Sequence, residues 1–133
     1  MNSSNQIVNL VLDLNKSVLQ NDVYRYAIVT TPKSQLVLMS LKPSEEIGNE
    51  IHQEDQFIYI IKGKGVAVLQ LKGKNKTETR KIYDIFPGAG ITIPAETWHN
   101  IINGGNEKMK LFTIYTPPEH DEDTYQVKKP TRQ

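Results

Sequence analysis

The chain contains no cysteine among its 133 residues. This absence excludes disulfides, thiol nucleophiles and thiolate metal sites, so any metal ion must be held by nitrogen and oxygen ligands. Long apolar runs are also missing, which predicts that no helix spans a membrane. The chain does not start with a basic segment followed by an apolar one, so no secretory leader is expected and a cytoplasmic protein is the default.

An excess of charge of either sign is missing as well. Sixteen Lys and Arg residues oppose fifteen Asp and Glu residues, which gives a net charge of +1 at pH 7. This balance argues against a protein that binds nucleic acid through bulk charge. Hydrophobic residues make up 38% and charged residues 23%, which are ordinary values for a globular protein. The length then predicts a single domain over residues 1–133.

The strongest local pattern is that of β-strands. Short runs rich in Val, Ile, Leu, Phe and Tyr are separated by Gly, Pro, Asn or charged residues, which predicts an antiparallel sandwich or barrel. Lys72–Lys76 is expected at a hairpin tip, Val8–Asn21 as an irregular or strand-like lead-in, and residues 117–133 as an extended arm over the barrel. The candidate strands are Tyr24–Thr30, Leu36–Leu41, Glu50–His52, Phe57–Lys62, Gly65–Leu71, Thr79–Tyr83, Gly90–Ile93, Trp98–Asn103 and Leu111–Thr116.

Histidine is scarce, since the sequence contains only His52, His99 and His120. Metal or proton chemistry must therefore draw on these residues together with carboxylates and amides. Glu50 and His52 have the two-residue spacing that places strand side chains on one face. Gln56 has the same parity and begins the next candidate strand. These positions are the candidates for a polar site inside the barrel.

Two stretches of the chain resemble the motifs of the cupin superfamily, which read G-x5-H-x-H-x3-E-x6-G and G-x5-P-x-G-x2-H-x3-N. The second motif fits with every spacing kept at Gly88, Pro94, His99 and Asn103. It departs in residue type only at Glu96, which stands where the motif has glycine.

The first motif fits in spacing but not in every residue type. Ser44 stands for the opening glycine, Glu50 for the first histidine and Gln56 for the glutamate. His52 and Gly63 match the motif in both spacing and type.

The resemblance implies an all-β fold, a double-stranded β-helix or jelly-roll cupin barrel with its core at about residues 24–116. In that fold the motif side chains converge on one divalent transition metal, so the resemblance implies Glu50, His52, Gln56 and His99 as metal ligands. Fe, Mn, Ni, Co and Zn all suit a carboxylate, an amide and two imidazoles. Two alternatives stay open: a pocket that holds water or an organic ligand instead, and a Gln56 that only hydrogen-bonds a ligating residue.

These residues suggest a small metal-dependent cupin enzyme of isomerase, lyase or dioxygenase type, acting on a small polar organic molecule. Its catalytic candidates are Glu50, available for proton transfer, and His99. The alternative is a non-catalytic cupin that binds or senses a small ligand. The resemblance also implies a homodimer, for which the outward-facing run Phe57, Tyr59 and Ile61 could supply apolar area.

Two aromatic residues near these motifs have simpler interpretations. His120 is interpreted as a residue of the tail, able to cap the barrel mouth, rather than as a ligand. Strand parity directs Trp98 away from its neighbour His99, which favours packing or a dimer contact over substrate stacking.

Overall fold

The computed structural model describes residues 10–72 and 78–131 as one short helix and nine strands. No helix in these residues has the length and apolar character needed to cross a bilayer. The elements are α1 at Leu14–Gln20, β1 at Arg25–Thr30, β2 at Gln35–Leu41, β3 at Asp55–Lys62, β4 at Gly65–Lys72, β5 at Glu78–Ile85, β6 at Gly90–Ile93, β7 at His99–Asn103, β8 at Met109–Thr116 and β9 at Tyr125–Gln126.

The strands form two antiparallel sheets. A six-stranded sheet has the order β6-β3-β8-β2-β1-β9, and a three-stranded sheet has the order β5-β4-β7. Ile58 and Ile60 of β3 face Ala67 and Leu69 of β4 within a common apolar core. Because every second residue of these strands points inward, alternation in the sequence becomes a core between the sheets. The predicted all-β jelly roll is confirmed.

Helix α1 corrects the expectation of an irregular or strand-like lead-in over Val8–Asn21. The side chain of Asp13 caps the helix and accepts a hydrogen bond from the backbone N–H three residues on, at 3.2 Å. Val18 is fully buried and packs with Ile28 and Leu38 on the outer face of the six-stranded sheet. The helix therefore depends on tertiary packing, which a weak local pattern of apolar residues does not reveal.

The outward-facing apolar run on β3 is partly covered by this helix. Ile61 packs against the cluster around Val18, whereas Phe57 is 37% exposed. Tyr59 stacks on Phe112 of β8 with ring centroids 5.5 Å apart. The homodimer stays a prediction, which light scattering on the purified chain would test directly.

The C-terminal arm is fastened to the barrel at two places. Strand β9 pairs with β1 through Arg25 and Gln126. Gln35, which is 1% exposed, donates from its amide nitrogen to the His120 carbonyl oxygen at 2.8 Å and accepts from the His120 backbone N–H at 3.0 Å. These bonds hold the segment around Glu119 over the barrel mouth. The hairpin tip predicted at Lys72–Lys76 lies outside the described residues, except that Lys72 ends β4.

The two residues that replace motif glycines both have left-handed backbone conformations. Ser44 has a φ of 70° and Glu96 a φ of 63°. The matching motif glycines Gly63 and Gly88 have φ values of 97° and 96°. The spacing of the motifs therefore marks a backbone conformation that glycine adopts most readily, and this chain keeps that conformation with other residues.

We expect Glu96→Gly to stabilise the protein. A left-handed conformation costs a residue with a Cβ about 1–2 kcal/mol, and the greater unfolded-state entropy of glycine offsets about 0.5–1 kcal/mol of that gain. The Glu96 side chain is exposed, so little packing is lost. The midpoint of thermal unfolding should rise by about 2–4 °C. Glu96→Ala is the matched control, because it removes the same carboxylate but keeps the Cβ, and an equal rise in that variant would contradict the backbone explanation.

Candidate metal centre

The backbone brings the two motif segments together through an isolated bridge rather than through a full strand. The predicted strand Glu50–His52 is not formed. Instead, the Glu50 backbone N–H donates to the His99 carbonyl oxygen at 2.8 Å, and the His99 N–H donates to the Glu50 carbonyl oxygen at 2.9 Å. The His52 carbonyl oxygen then accepts from the Glu96 N–H at 2.7 Å. A single paired residue followed by this turn positions Glu50 and His52 without a strand ladder of their own, next to His99 at the start of β7.

Three of the four candidate ligands lie close together inside the barrel. Glu50, His52 and His99 each offer one ligand atom, and these atoms all lie within 4.8 Å of one another. The ring centroids of His52 and His99 are 5.2 Å apart. Two imidazoles and a carboxylate at this separation could hold a divalent transition metal ion.

The histidine contributed by β7 has the protonation state that a metal ligand needs. His99 is 3% exposed, and its Nδ1–H donates to the Thr97 carbonyl oxygen at 2.8 Å. Burial lowers the pKa of His99, so the ring is neutral at neutral pH. Its Nε2 then carries a lone pair, and this atom is buried without a hydrogen-bond partner within the described residues.

Gln56 lies on the inward face of β3, as its parity predicts, and is 4% exposed. Its amide nitrogen donates to the Thr113 hydroxyl oxygen at 2.9 Å. Its amide oxygen is buried and has no hydrogen-bond partner in the described part of the chain. An unpaired buried oxygen costs about 1–3 kcal/mol, which a bound cation would offset. The orphaned atoms of Gln56 and His99 therefore fit a metal ion, and the ligand role of Gln56 stays a prediction.

His52 lies between two carboxylates. Its Nε2 is 3.2 Å from Glu50 Oε1, and its Nδ1 is 3.3 Å from Glu119 Oε2. The hydrogen bond with Glu50 raises the pKa of His52. Burial acts to raise the pKa of Glu50, but the hydrogen bond and charge of His52 hold it below its usual value. Without a cation, a proton on His52 thus compensates the half-buried carboxylate of Glu50.

The C-terminal arm contributes a second acidic group, which the two motifs do not predict. Ligand atoms of His52, Glu54 and Glu119 also lie within 4.8 Å of one another. Burial and a hydrogen bond with Glu54 raise the pKa of Glu119 to about 7. At neutral pH this carboxyl pair can therefore carry a proton next to His52. Glu119 belongs to the Pro-Pro-Glu-His stretch of the arm, and its only signal in the sequence is the adjacent His120.

His120 lies at the barrel mouth rather than in a free tail. Its ring centroid is 5.2 Å from that of the buried Tyr115. Burial lowers the pKa of His120 to about 4, so the ring is neutral at neutral pH. It belongs to neither of the two groups within the described residues that could hold a metal. Trp98 is 43% exposed and lines an outer depression with Val68 and Arg80, which agrees with its predicted direction away from His99.

The protein is therefore a β-barrel whose interior contains a histidine–carboxylate group able to hold a metal ion. The family model described as "Cupin domain" matches residues 37–115. A protein of Acanthamoeba polyphaga mimivirus is 46% identical over 129 residues, which are 96% of this chain and 77% of that protein. The chain belongs to the cupin family.

Solved structures agree with this membership. The crystal structure of BH2720 from Bacillus halodurans has a TM-score of 0.83 and 34% identity, with 91% of this chain and 90% of that chain covered. A RmlC-like cupin family protein with a double-stranded β-helix fold from Methanocaldococcus jannaschii has a TM-score of 0.61 and 16% identity, over 74% of this chain and 84% of that chain. The second likeness shows the fold alone.

Proposed function

We propose that this chain is a metal-dependent cupin enzyme that acts on a small polar organic molecule. The observation that carries the proposal is the buried, unpartnered Nε2 of His99 beside Glu50 and His52. An unpaired ring nitrogen in a barrel interior is costly unless a ligand completes it. Glu50, His52 and His99 would hold the ion, and Gln56 would add its free amide oxygen.

Fe, Mn, Ni, Co or Zn bound here would supply Lewis-acid chemistry, polarising a carbonyl or enediol oxygen. The protein residues would bind and orient the substrate and move protons. Glu50 is partly exposed, with 32% of its side chain accessible, so it can exchange a proton with a substrate in the barrel mouth. Glu119 would fix the orientation of His52 through Nδ1. The reaction would be of isomerase, lyase or dioxygenase type.

The proposal is tested by measuring metal content and turnover in separate experiments. Protein purified without chelator, and again after reconstitution with each divalent ion, should contain close to one equivalent of metal by plasma emission. Substoichiometric metal under every condition would overturn the proposed site. If metal binds and small sugars, keto acids and hydroxy acids shift the thermal midpoint without product, the non-catalytic sensor replaces the enzyme.

We expect Glu119→Ala to weaken metal binding by about tenfold or more. A carboxylate that accepts from the second nitrogen of a ligating histidine orients the ring, and its loss costs about 10–100-fold in affinity. The measurement is a competition titration of zinc against a fluorescent chelator. Asp123→Ala removes an exposed carboxylate from the same arm and should leave the zinc affinity unchanged. Equal affinities for the wild type and Glu119→Ala would show that Glu119 does not support His52.

A further inference from the structure

A buried arginine lies beside the candidate metal centre, and neither motif accounts for it. Arg25 begins β1 and is 6% exposed. Its ladder partner Met39 belongs to the core, so the Arg25 side chain shares the inward face of the sheet. Placing a guanidinium group there requires compensation, because burial of an unpaired charge is costly.

The described residues do not give Arg25 a carboxylate partner. One guanidinium nitrogen, Nη1, donates to Gln126 Oε1 at 2.7 Å, and the group lies 5.0 Å from the centroid of the Tyr24 ring. Its Nε is buried without a hydrogen-bond partner, and no carboxylate of residues 10–72 or 78–131 forms an ion pair with it within 4.0 Å.

A second buried cation, Lys110, does have a carboxylate partner. Lys110 is 5% exposed and lies 2.8 Å from Asp22 Oδ1. A buried charge in this protein can thus have a carboxylate partner of its own chain. Arg25 instead has a neutral amide and an aromatic ring, which leaves room for an anionic group from outside the chain.

Arg25 lines a cavity of about 600 Å³. Glu50 lines the same cavity, and Lys129 lies at it as a second cation. Lys129 donates to the Glu46 backbone oxygen at 2.7 Å, which fixes its position without neutralising its charge. The cavity thus has two cations and one carboxylate, and its volume suits a small molecule.

The Arg25 charge acts on the interior of the barrel. Burial lowers the pKa of His120, and the positive charge of Arg25 adds to that effect. Burial acts to raise the pKa of Glu50, whereas His52 and then Arg25 lower it. The positive charge of Arg25 therefore acts in the same direction on the pKa of both groups.

We propose that this cavity binds a small organic acid, whose carboxylate group pairs with Arg25 and whose opposite end lies against Glu50. A planar guanidinium group matches the two oxygens of a carboxylate, and such charge-assisted pairs are strong where water is excluded. The inference rests on the proposed function in so far as it names the class of its substrate. The pairing with Arg25 itself requires no metal ion.

The test compares three carboxylates of increasing length with their neutral amides. Glycolate, 3-hydroxypropionate and 4-hydroxybutyrate are titrated by calorimetry against the chain, with their primary amides as matched uncharged probes and inorganic phosphate as a second anion. At least one carboxylate should bind about tenfold more tightly than its amide, and Arg25→Gln should remove that difference. Lys33→Gln, an exposed cation that does not line the cavity, should bind as the wild type does.

Each remaining outcome overturns the inference. Equal binding of acid and amide, no binding of any acid at millimolar concentration, or wild-type affinity in Arg25→Gln would each exclude the carboxylate site. Tighter binding of phosphate than of every carboxylate would identify an inorganic anion site instead. If Arg25→Gln does not fold, Lys129→Gln replaces it. The affinity of this variant for the carboxylates should be about two- to fivefold lower than that of the wild type. An unchanged affinity would overturn the inference.

Parallel titrations with and without zinc separate this inference from the proposed function. A chain that binds no zinc but distinguishes acid from amide through Arg25 would overturn the metal enzyme and retain the carboxylate site. A chain that binds zinc but binds acid and amide equally well would exclude the carboxylate site and retain the metal site of the proposed enzyme.

Discussion

His99→Ala is expected to abolish stoichiometric metal binding while the barrel stays folded. The ring supplies a neutral, buried Nε2, and the loss of a ligand should exceed the 10–100-fold that residues supporting a ligand contribute. The bridge between Glu50 and His99 uses backbone groups, which alanine keeps. Plasma emission should therefore find close to one equivalent of metal in the reconstituted wild type and little in the variant, with unchanged far-ultraviolet circular dichroism.

His120→Ala is the matched control for this experiment. It removes a histidine of similar environment at the barrel mouth, but one that lies outside both groups able to hold a metal within the described residues. Metal content should therefore stay near the wild-type value. If His120→Ala loses as much metal as His99→Ala, or if His99→Ala keeps its metal, then the ligand set proposed from the motifs is wrong.

The barrel and the position of its polar site could be predicted because both depend on spacing. Inward and outward positions alternate along a strand, so the parity of Gln56 determined its face. Ser44 and Glu96 have left-handed φ values although neither is glycine. The spacing of the motifs therefore predicts the backbone conformation at these positions even where the residue type differs. Glu50 and His52 lie close together, as predicted, but the predicted strand that was to place them on one face is not formed. A bridge and a turn position them instead.

The contributions of the arm could not be predicted in the same way. Glu119 reaches His52 because Gln35 and strand β9 hold the arm against the barrel, and these contacts join residues far apart in the sequence. No local pattern encodes such a contact. Helix α1 was missed for a related reason, because only one of its residues, Val18, is buried.

The final residue of the second motif has a structural task, which its hydrogen bonds reveal. Asn103 ends β7 and is fully buried. Its amide nitrogen donates to the backbone oxygens of Leu41, Lys42 and Glu107 at 3.0, 3.1 and 2.9 Å. Its amide oxygen accepts from the Gly105 N–H at 3.0 Å. One side chain thus joins the end of β2 to the turn between β7 and β8.

We therefore expect Asn103→Ala to destabilise the protein by about 3–4 kcal/mol, because several buried backbone groups lose their partner at about 1–3 kcal/mol for each unsatisfied group. The midpoint of thermal unfolding should fall by about 10–15 °C. Asn103→Asp should be at least as damaging, since it sets a second oxygen against three carbonyl oxygens. Asn106→Ala alters an exposed residue of the same turn and should stay within about 0.5 kcal/mol of the wild type. A similarly small effect in Asn103→Ala would mean that water or a local shift satisfies these carbonyls, and the motif asparagine would need another explanation.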